Sequence, residues 1–103
     1  MRPKKTDLMT VIRDCVARGR YYDTRQAKKR KKSRGILTRD VVYVLNNGYH
    51  QRKKDKFDAV NEVWNYSIRA HVLHADRTIR VVVSFDEDHL VVITAIHIVS
   101  KRK

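Results

Sequence analysis

Trp64-Asn65-Tyr66-Ser67-Ile68-Arg69-Ala70-His71-Val72 alternates apolar and polar residues without a break. Successive side chains on a strand point to opposite faces, so Trp64, Tyr66, Ile68, Ala70 and Val72 share one side of an extended chain. Asn65, Ser67, Arg69 and His71 take the other. Such a strand, over 64–73, belongs in an antiparallel sheet with one face on a core and one in water. Downstream, His74-Ala75-Asp76-Arg77 reads as a turn and 78–85 as the next strand, with Ile79, Val81, Val83 and Phe85 inward. Asp86-Glu87-Asp88 makes a second turn. Residues 89–99 are apolar on both faces, as suits a central strand, and 49–54 read as a short edge strand.

Upstream of Gly48 the period becomes helical. Over 6–19, Thr6 can cap a helix in which Leu8, Val11, Ile12, Cys15 and Val16 share one face, with Gly19 as its stop. Over 38–47, Thr38 caps and Val41, Val42, Val44 and Leu45 form the core stripe, with Gly48 as the stop. Between them, 24–34 starts at Thr24 and ends at Gly35, and its one apolar residue is Ala27. Residues 28–34 carry six cations in seven positions. A helix basic on nearly every side cannot be held by its own packing, so it is expected to be exposed. It is then either a solvated basic helix or loop, or an anion-binding one. Helices followed by a strand meander give an α+β domain, N-terminal helices packed on one face of a twisted antiparallel sheet. One domain spans 1–103, with a helical part at about 6–47 and a sheet at about 49–99.

The chain of 103 residues carries 24 Lys and Arg against 11 Asp and Glu, a formal charge of +13. Residues 1–34 hold +10 of it. A small domain this basic meets a polyanion or an acidic protein. The lone Cys15 excludes a disulfide framework and a cysteine zinc finger, and it suits a reducing, cytoplasmic setting. No membrane span and no signal peptide are expected; residues 1–5 and 101–103 are simply basic. Gly19, Gly35 and Gly48 each sit at a helix end, so no glycine-rich phosphate loop is present. The five histidines show no ligand spacing, and neither metal nor cofactor is expected.

What remains is a polar, cationic sheet face. Arg69 and His71 project from one side of their strand; Arg80, on the next, points away from the Ile79/Val81/Val83 row; Lys53, Lys54 and Lys56 precede the strands. Metal-free RNA cleavage needs a base for the 2′-OH, an acid for the 5′-oxygen and cations for the crowded phosphate. His71 is the candidate acid or base, and Arg69, Arg80 and Lys54 are the candidate charge stabilisers. Lys28, Lys29, Arg30, Lys32, Arg34 and Lys53 are the candidate RNA-binding cations. The bland alternatives are a solvated His71, and cross-strand salt bridges from Arg69 and Arg80 to Glu62 or Asp76. Trp64 and Tyr66 read as core. Among Tyr21, Tyr22, Tyr43 and Tyr49, one near the basic helix could stack on a base.

Gln26-Ala27-x-x-Arg30-x-x-x-Arg34-Gly35-Ile36-Leu37-Thr38-x-Asp40-Val41, with Val44-Leu45-x-x-Gly48, resembles the front half of small RelE-like bacterial domains. Lys54-Asp55-Lys56-Phe57-Asp58, Trp64-x-Tyr66-x-Ile68, the strand at 79–83 and Val92-Ile93-Thr94-Ala95-Ile96 resemble the back half. More distantly the chain is similar to mRNA-cleaving toxins of the MqsR type, through the helix ending near Gly19, Thr24-Arg25-x-Ala27 and the Trp64 strand. The likeness covers about residues 8–97. It implies a RelE-like fold and a toxin of a toxin–antitoxin module, a metal-free endoribonuclease held by a cognate antitoxin. The implied substrate is RNA, free or ribosome-bound mRNA. The MqsR-type lysine before the Trp strand falls near Lys53 or Lys54, its glutamine at Asn65 and its next-strand tyrosine at Arg80. Its C-terminal lysine has no clear counterpart; Thr94, His97 or Lys101 lies nearby. Gln26 stands where RelE-like small domains often have His, which removes one acid–base group. Two other readings stand beside this one: a non-catalytic nucleic-acid-binding module, and an interaction protein for an acidic partner.

Overall fold

The computed structural model describes residues 3–87 and 89–98. The elements are α1 (Leu8–Ala17), β1 (Tyr21–Asp23), α2 (Arg25–Arg34), α3 (Thr38–Asn47), β2 (Tyr49–His50), β3 (Lys56–Asp58), β4 (Val63–Val72), β5 (Arg77–Asp86) and β6 (His89–His97). Short 3-10 turns at Arg52–Lys54 and Leu73–Ala75 join β2 to β3 and β4 to β5. The basic tail at 101–103, the strand end at Val99 and Asp88 of the second turn lie outside the described residues.

The strand order is β1-β6-β5-β4-β2, and β3 pairs with the first residues of β4. The β2–β4, β3–β4, β4–β5 and β5–β6 pairs are antiparallel, and β6 is an interior strand as its two apolar faces imply. The sheet is nonetheless mixed: β1 adds to β6 in parallel, Tyr21 opposite Leu90 and Asp23 opposite Val92. Three residues are too few to display a period-two pattern, so β1 is set by its tertiary neighbours. The expected edge strand over 49–54 shrinks to two residues, because the chain turns at Arg52–Lys54 and resumes pairing as β3.

Leu8, Ile12 and Cys15 of α1, Ala27 of α2, and Val41, Val44 and Leu45 of α3 pack with the inward rows of β4, β5 and β6 in one continuous core. Burying each large aliphatic side chain contributes about 1.5–3 kcal/mol. A bulge keeps β6 in phase: Val82 faces Thr94 while Val83 faces Val92, so Ile93 is the extra residue. A strand's period of two means that this one residue decides sides beyond it. It turns Thr94 and Ile96 to the open face and keeps Ala95 and His97 with the core rows.

Two caps differ from expectation. Asp7, with φ 51°, precedes α1 in place of Thr6 and makes no side-chain cap. Leu37 precedes α3, and its N–H donates to Asp40 Oδ2 at 2.9 Å, while the Thr38 hydroxyl accepts from Lys31 Nζ instead. Thr24 does cap α2, accepting from the Ala27 N–H at 3.0 Å, and Gly35 ends it at φ +66°.

Gly48 is required for a different reason. Its φ is ordinary, but a Cβ there would sit 2.5 Å from the Val44 carbonyl oxygen and 2.6 Å from that of Arg69. Both are backbone atoms, so α3 would have to lift from β4. Gly48→Ala is expected to cost about 1–3 kcal/mol, at about 4–8 °C of Tm for each kcal/mol; a thermal melt within 2 °C of wild type, on the order of experimental error, would contradict this close approach.

Asp40 is buried, and His74 Nε2 lies 2.8 Å from its Oδ1. Burial opposes its charge, but the Leu37 N–H, His74 and Arg39 outweigh that and hold its carboxyl below the usual range. A folded-state pKa below the unfolded value of about 3.9 stabilises the fold above that pH, and the contribution is lost as pH falls through the folded value. Asp40→Asn should therefore be less stable than wild type at neutral pH, and the gap should close on acidification below about pH 4. Denaturation midpoints taken across the acid range measure it.

Candidate functional site

Because α1, α2 and α3 cover one side of the sheet, the other is left to polar residues of β4 and β5. Register places Tyr49, Arg69, Arg80 and Ile96 in one row across it. Ser67, Val82 and Thr94 form the next, and His71 faces Thr78. A concavity of about 340 Å³ opens here, lined by Lys54, Lys56, Asn65, Ser67, Arg80, Val82 and Ile96.

The segment before β3 builds one wall, and it is clamped to Ser67 of β4. The Gln51 N–H donates to the Ser67 carbonyl at 2.8 Å, and the Ser67 N–H donates to Asp55 Oδ1 at 3.0 Å. Ser67 Oγ lies 3.4 Å from the Lys54 carbonyl. These bonds hold Lys54 and Lys56, one on each side of Asp55, over the open face. The same segment aims the arginine: Arg80 Nε donates to Gln51 Oε1 at 2.9 Å, which leaves the rest of the guanidinium free to bind.

Lys54, Lys56, Arg69 and Arg80 have no carboxylate partner among the described residues. The salt bridges to Glu62 or Asp76 do not form; Asp76 is 3.4 Å from His71 instead. Arg69 and Arg80 are directly opposite each other. Like charges in that arrangement destabilise a sheet, so this face stores repulsion that an anion would relieve.

The sequence-based candidates divide. Lys54 and Arg80 come together in the concavity, with Arg69 beside Arg80. His71 does not join them: it lies farther along β4, its Nδ1 3.2 Å from Thr78 Oγ1 and its Nε2 near Asp76, at the hairpin end. Lys53 is exposed but outside the concavity. On α2, Lys28, Lys29 and Lys32 are exposed and Arg30 is half-buried. Arg34 is half-buried and held against the sheet, its Nη1 donating to the Ala95 carbonyl at 2.7 Å and covering β6 beyond the end of β1. Nor is α2 exposed on every side. Lys31 is buried, 2.6 Å from Asp23, and it ties the helix to β1.

Of the other residues gathered here, sequence reasoning left out Gln51, gave Lys56 no role beyond its charge, and offered Tyr49 only as one of four tyrosines that could stack on a base. Lys56 was legible as a cation before the strands; the other two depend on the turn at 52–54. Tyr49 is 57% exposed and sits beside Arg69, far from the role near α2 expected of a stacking tyrosine.

Two imidazole–carboxylate pairs lie elsewhere. His74–Asp40 braces the start of α3. His50 Nε2 is 2.7 Å from Asp55 Oδ2, which Lys4 also reaches at 3.0 Å, and the ring packs on Tyr66 on the core side. Among the described residues no cluster of three or more His, Cys, Asp or Glu could hold a metal, and no helix is long and apolar enough to cross a membrane.

Comparison with curated proteins finds no match. The model of one family, described as a domain of unknown function (DUF4258), matches residues 24–97, which include all of α2 and every residue lining the concavity. That match spans most of the chain, and the protein belongs to the DUF4258 family.

Proposed function

We propose that this domain binds the RNA backbone on its open sheet face and cleaves it without a metal ion, as the cytoplasmic toxin of a toxin–antitoxin pair. One observation carries the RNA part: Lys54, Lys56 and Arg80 line one concavity, Arg69 adjoins it, and none of the four has a carboxylate partner among the described residues. The toxin and antitoxin parts draw on the resemblance to RelE-like domains.

In this reading a phosphodiester enters between the lysines and Arg80. The 2′-oxygen attacks phosphorus, the bond to the 5′-oxygen breaks, and the products are a 2′,3′-cyclic phosphate and a 5′-hydroxyl. Charge grows on the non-bridging oxygens, where Arg80, aligned by Gln51, and its neighbour Arg69 oppose it. Lys54 and Lys56 line the concavity as ammonium groups, so one of them can protonate the leaving 5′-oxygen while the 2′-OH proton passes to water. His71 is placed for neither role. That placement favours a second reading, a non-catalytic RNA-binding module.

Purified protein incubated with a long structured RNA in EDTA separates the two. Wild type should yield fragments ending in cyclic phosphate, and Lys54→Ala/Lys56→Ala should not. Binding that weakens steeply with salt, without fragments even when translating ribosomes are added, would select the non-catalytic module. Absence of binding as well would leave an acidic protein as the partner of this face.

A further inference from the structure

We propose that the concavity seats one unstacked nucleobase and that the Asn65 side-chain amide reads its edge, with adenine as the best match; this rests on the RNA reading above. The volume of about 340 Å³ is at the small end for ligand sites, room for one nucleotide and not for a run of them. Its floor is the aliphatic pair Val82 and Ile96. A site for phosphate alone has no use for an apolar floor, whereas the flat face of a base does. Arg80, held by Gln51, adds a guanidinium plane of the kind on which bases stack.

The amide is the unusual element. Asn47 Nδ2 donates to the Tyr43 carbonyl and Asn61 Nδ2 to Asp58. The half-buried Asn65 amide bonds to no described residue, although it lines the concavity. An amide presents one donor and one acceptor side by side, which complements the N7 acceptor and N6 donor of adenine. Lys56 is opposite Asn65 in the β3–β4 register, so the phosphate of a seated nucleotide meets a cation. Exposed Tyr49, in the adjoining row, offers a neighbouring base a stacking surface blind to sequence.

The test uses the full chain and four labelled 2′-O-methyl tetranucleotides, UUUU, UAUU, UCUU and UGUU, whose blocked 2′-oxygens prevent cleavage. Affinities come from fluorescence anisotropy at low salt. Wild type should bind UAUU about 5–100-fold more tightly than UUUU. Asn65→Ala should bring that ratio to about one by weakening UAUU far more than UUUU, and Tyr49→Ala should weaken all four alike. If Asn65→Ala does not fold, the isosteric Asn65→Asp, which lacks the donor, should lose the preference. Equal wild-type binding to all four, a preference for another base, or an adenine preference that survives at both Asn65 variants would overturn the seat. Failure to bind any of the four would overturn the RNA reading itself, and this inference with it.

Discussion

Lys31→Ala is expected to cost about 3–5 kcal/mol, whereas Lys28→Ala, Lys29→Ala and Lys32→Ala should each stay within about 0.5 kcal/mol of wild type. The side chains of Lys31 and Asp23 are 8% and 16% exposed, and their charges are 2.6 Å apart. Lys31 Nζ is also 3.1 Å from Thr38 Oγ1, so one ammonium joins α2, β1 and the first residue of α3. Removing it leaves the Asp23 carboxylate poorly hydrated and unpaired, and that uncompensated charge, more than the lost attraction, dominates the cost. The pair itself need not be better than an apolar one, so Lys31→Met/Asp23→Leu should recover most of the loss. Urea titrations at constant m-value measure all five variants. A Lys31→Ala midpoint equal to that of Lys28→Ala would show that water solvates the pair.

The basic helix also marks the limit of what the residues disclose. Thr24, Gly35 and the run of cations define its bounds, and the observed helix follows them. Its orientation was partly legible too: Ala27 and Lys31 are four apart and share a face, so burying Ala27 carries Lys31 inward. Composition alone treats the six cations as equivalent, yet Lys31 and Arg34 are held by the fold and Lys28, Lys29 and Lys32 are not. The burial of β4, β5 and β6 followed from period and apolar content, apart from the bulge at Ile93. β1 was invisible because its pairing partner is remote in sequence. The site was half legible. Alternation correctly put Arg69, His71 and Arg80 on one face, but position along the strand decides which of them meet. The segment at 51–56 crosses β4 at Ser67, and that crossing brings Lys54 and Lys56 to Arg80 while leaving His71 at the far hairpin. Loop paths of that kind are fixed by hydrogen bonds such as Ser67 N–H to Asp55, for which no periodicity exists.

Arg80→Met should lower RNA cleavage about 10²–10³-fold and leave the domain as stable as wild type or slightly more so. Under the proposed RNA-cleaving reading, the activity loss is what removal of one preorganised donor to a developing oxyanion costs in enzymes. Methionine keeps an aliphatic stem against Val82 and Ile96, so packing is largely retained. The stability change has a separate origin: Arg80 and Arg69 are directly opposed with no carboxylate between them, and removing one charge relieves about 0.2–1 kcal/mol of repulsion. Arg69→Met should give the same gain, and the double variant no further gain, because either change ends the same interaction. Salt should shrink the difference, since these side chains are open to solvent. Stability and activity moving in opposite directions distinguish a site that holds charge for a ligand from a surface that is merely basic. If Arg80→Met loses stability and activity together, the guanidinium braces the sheet through Gln51, and the anion site must be sought instead among the exposed cations of α2.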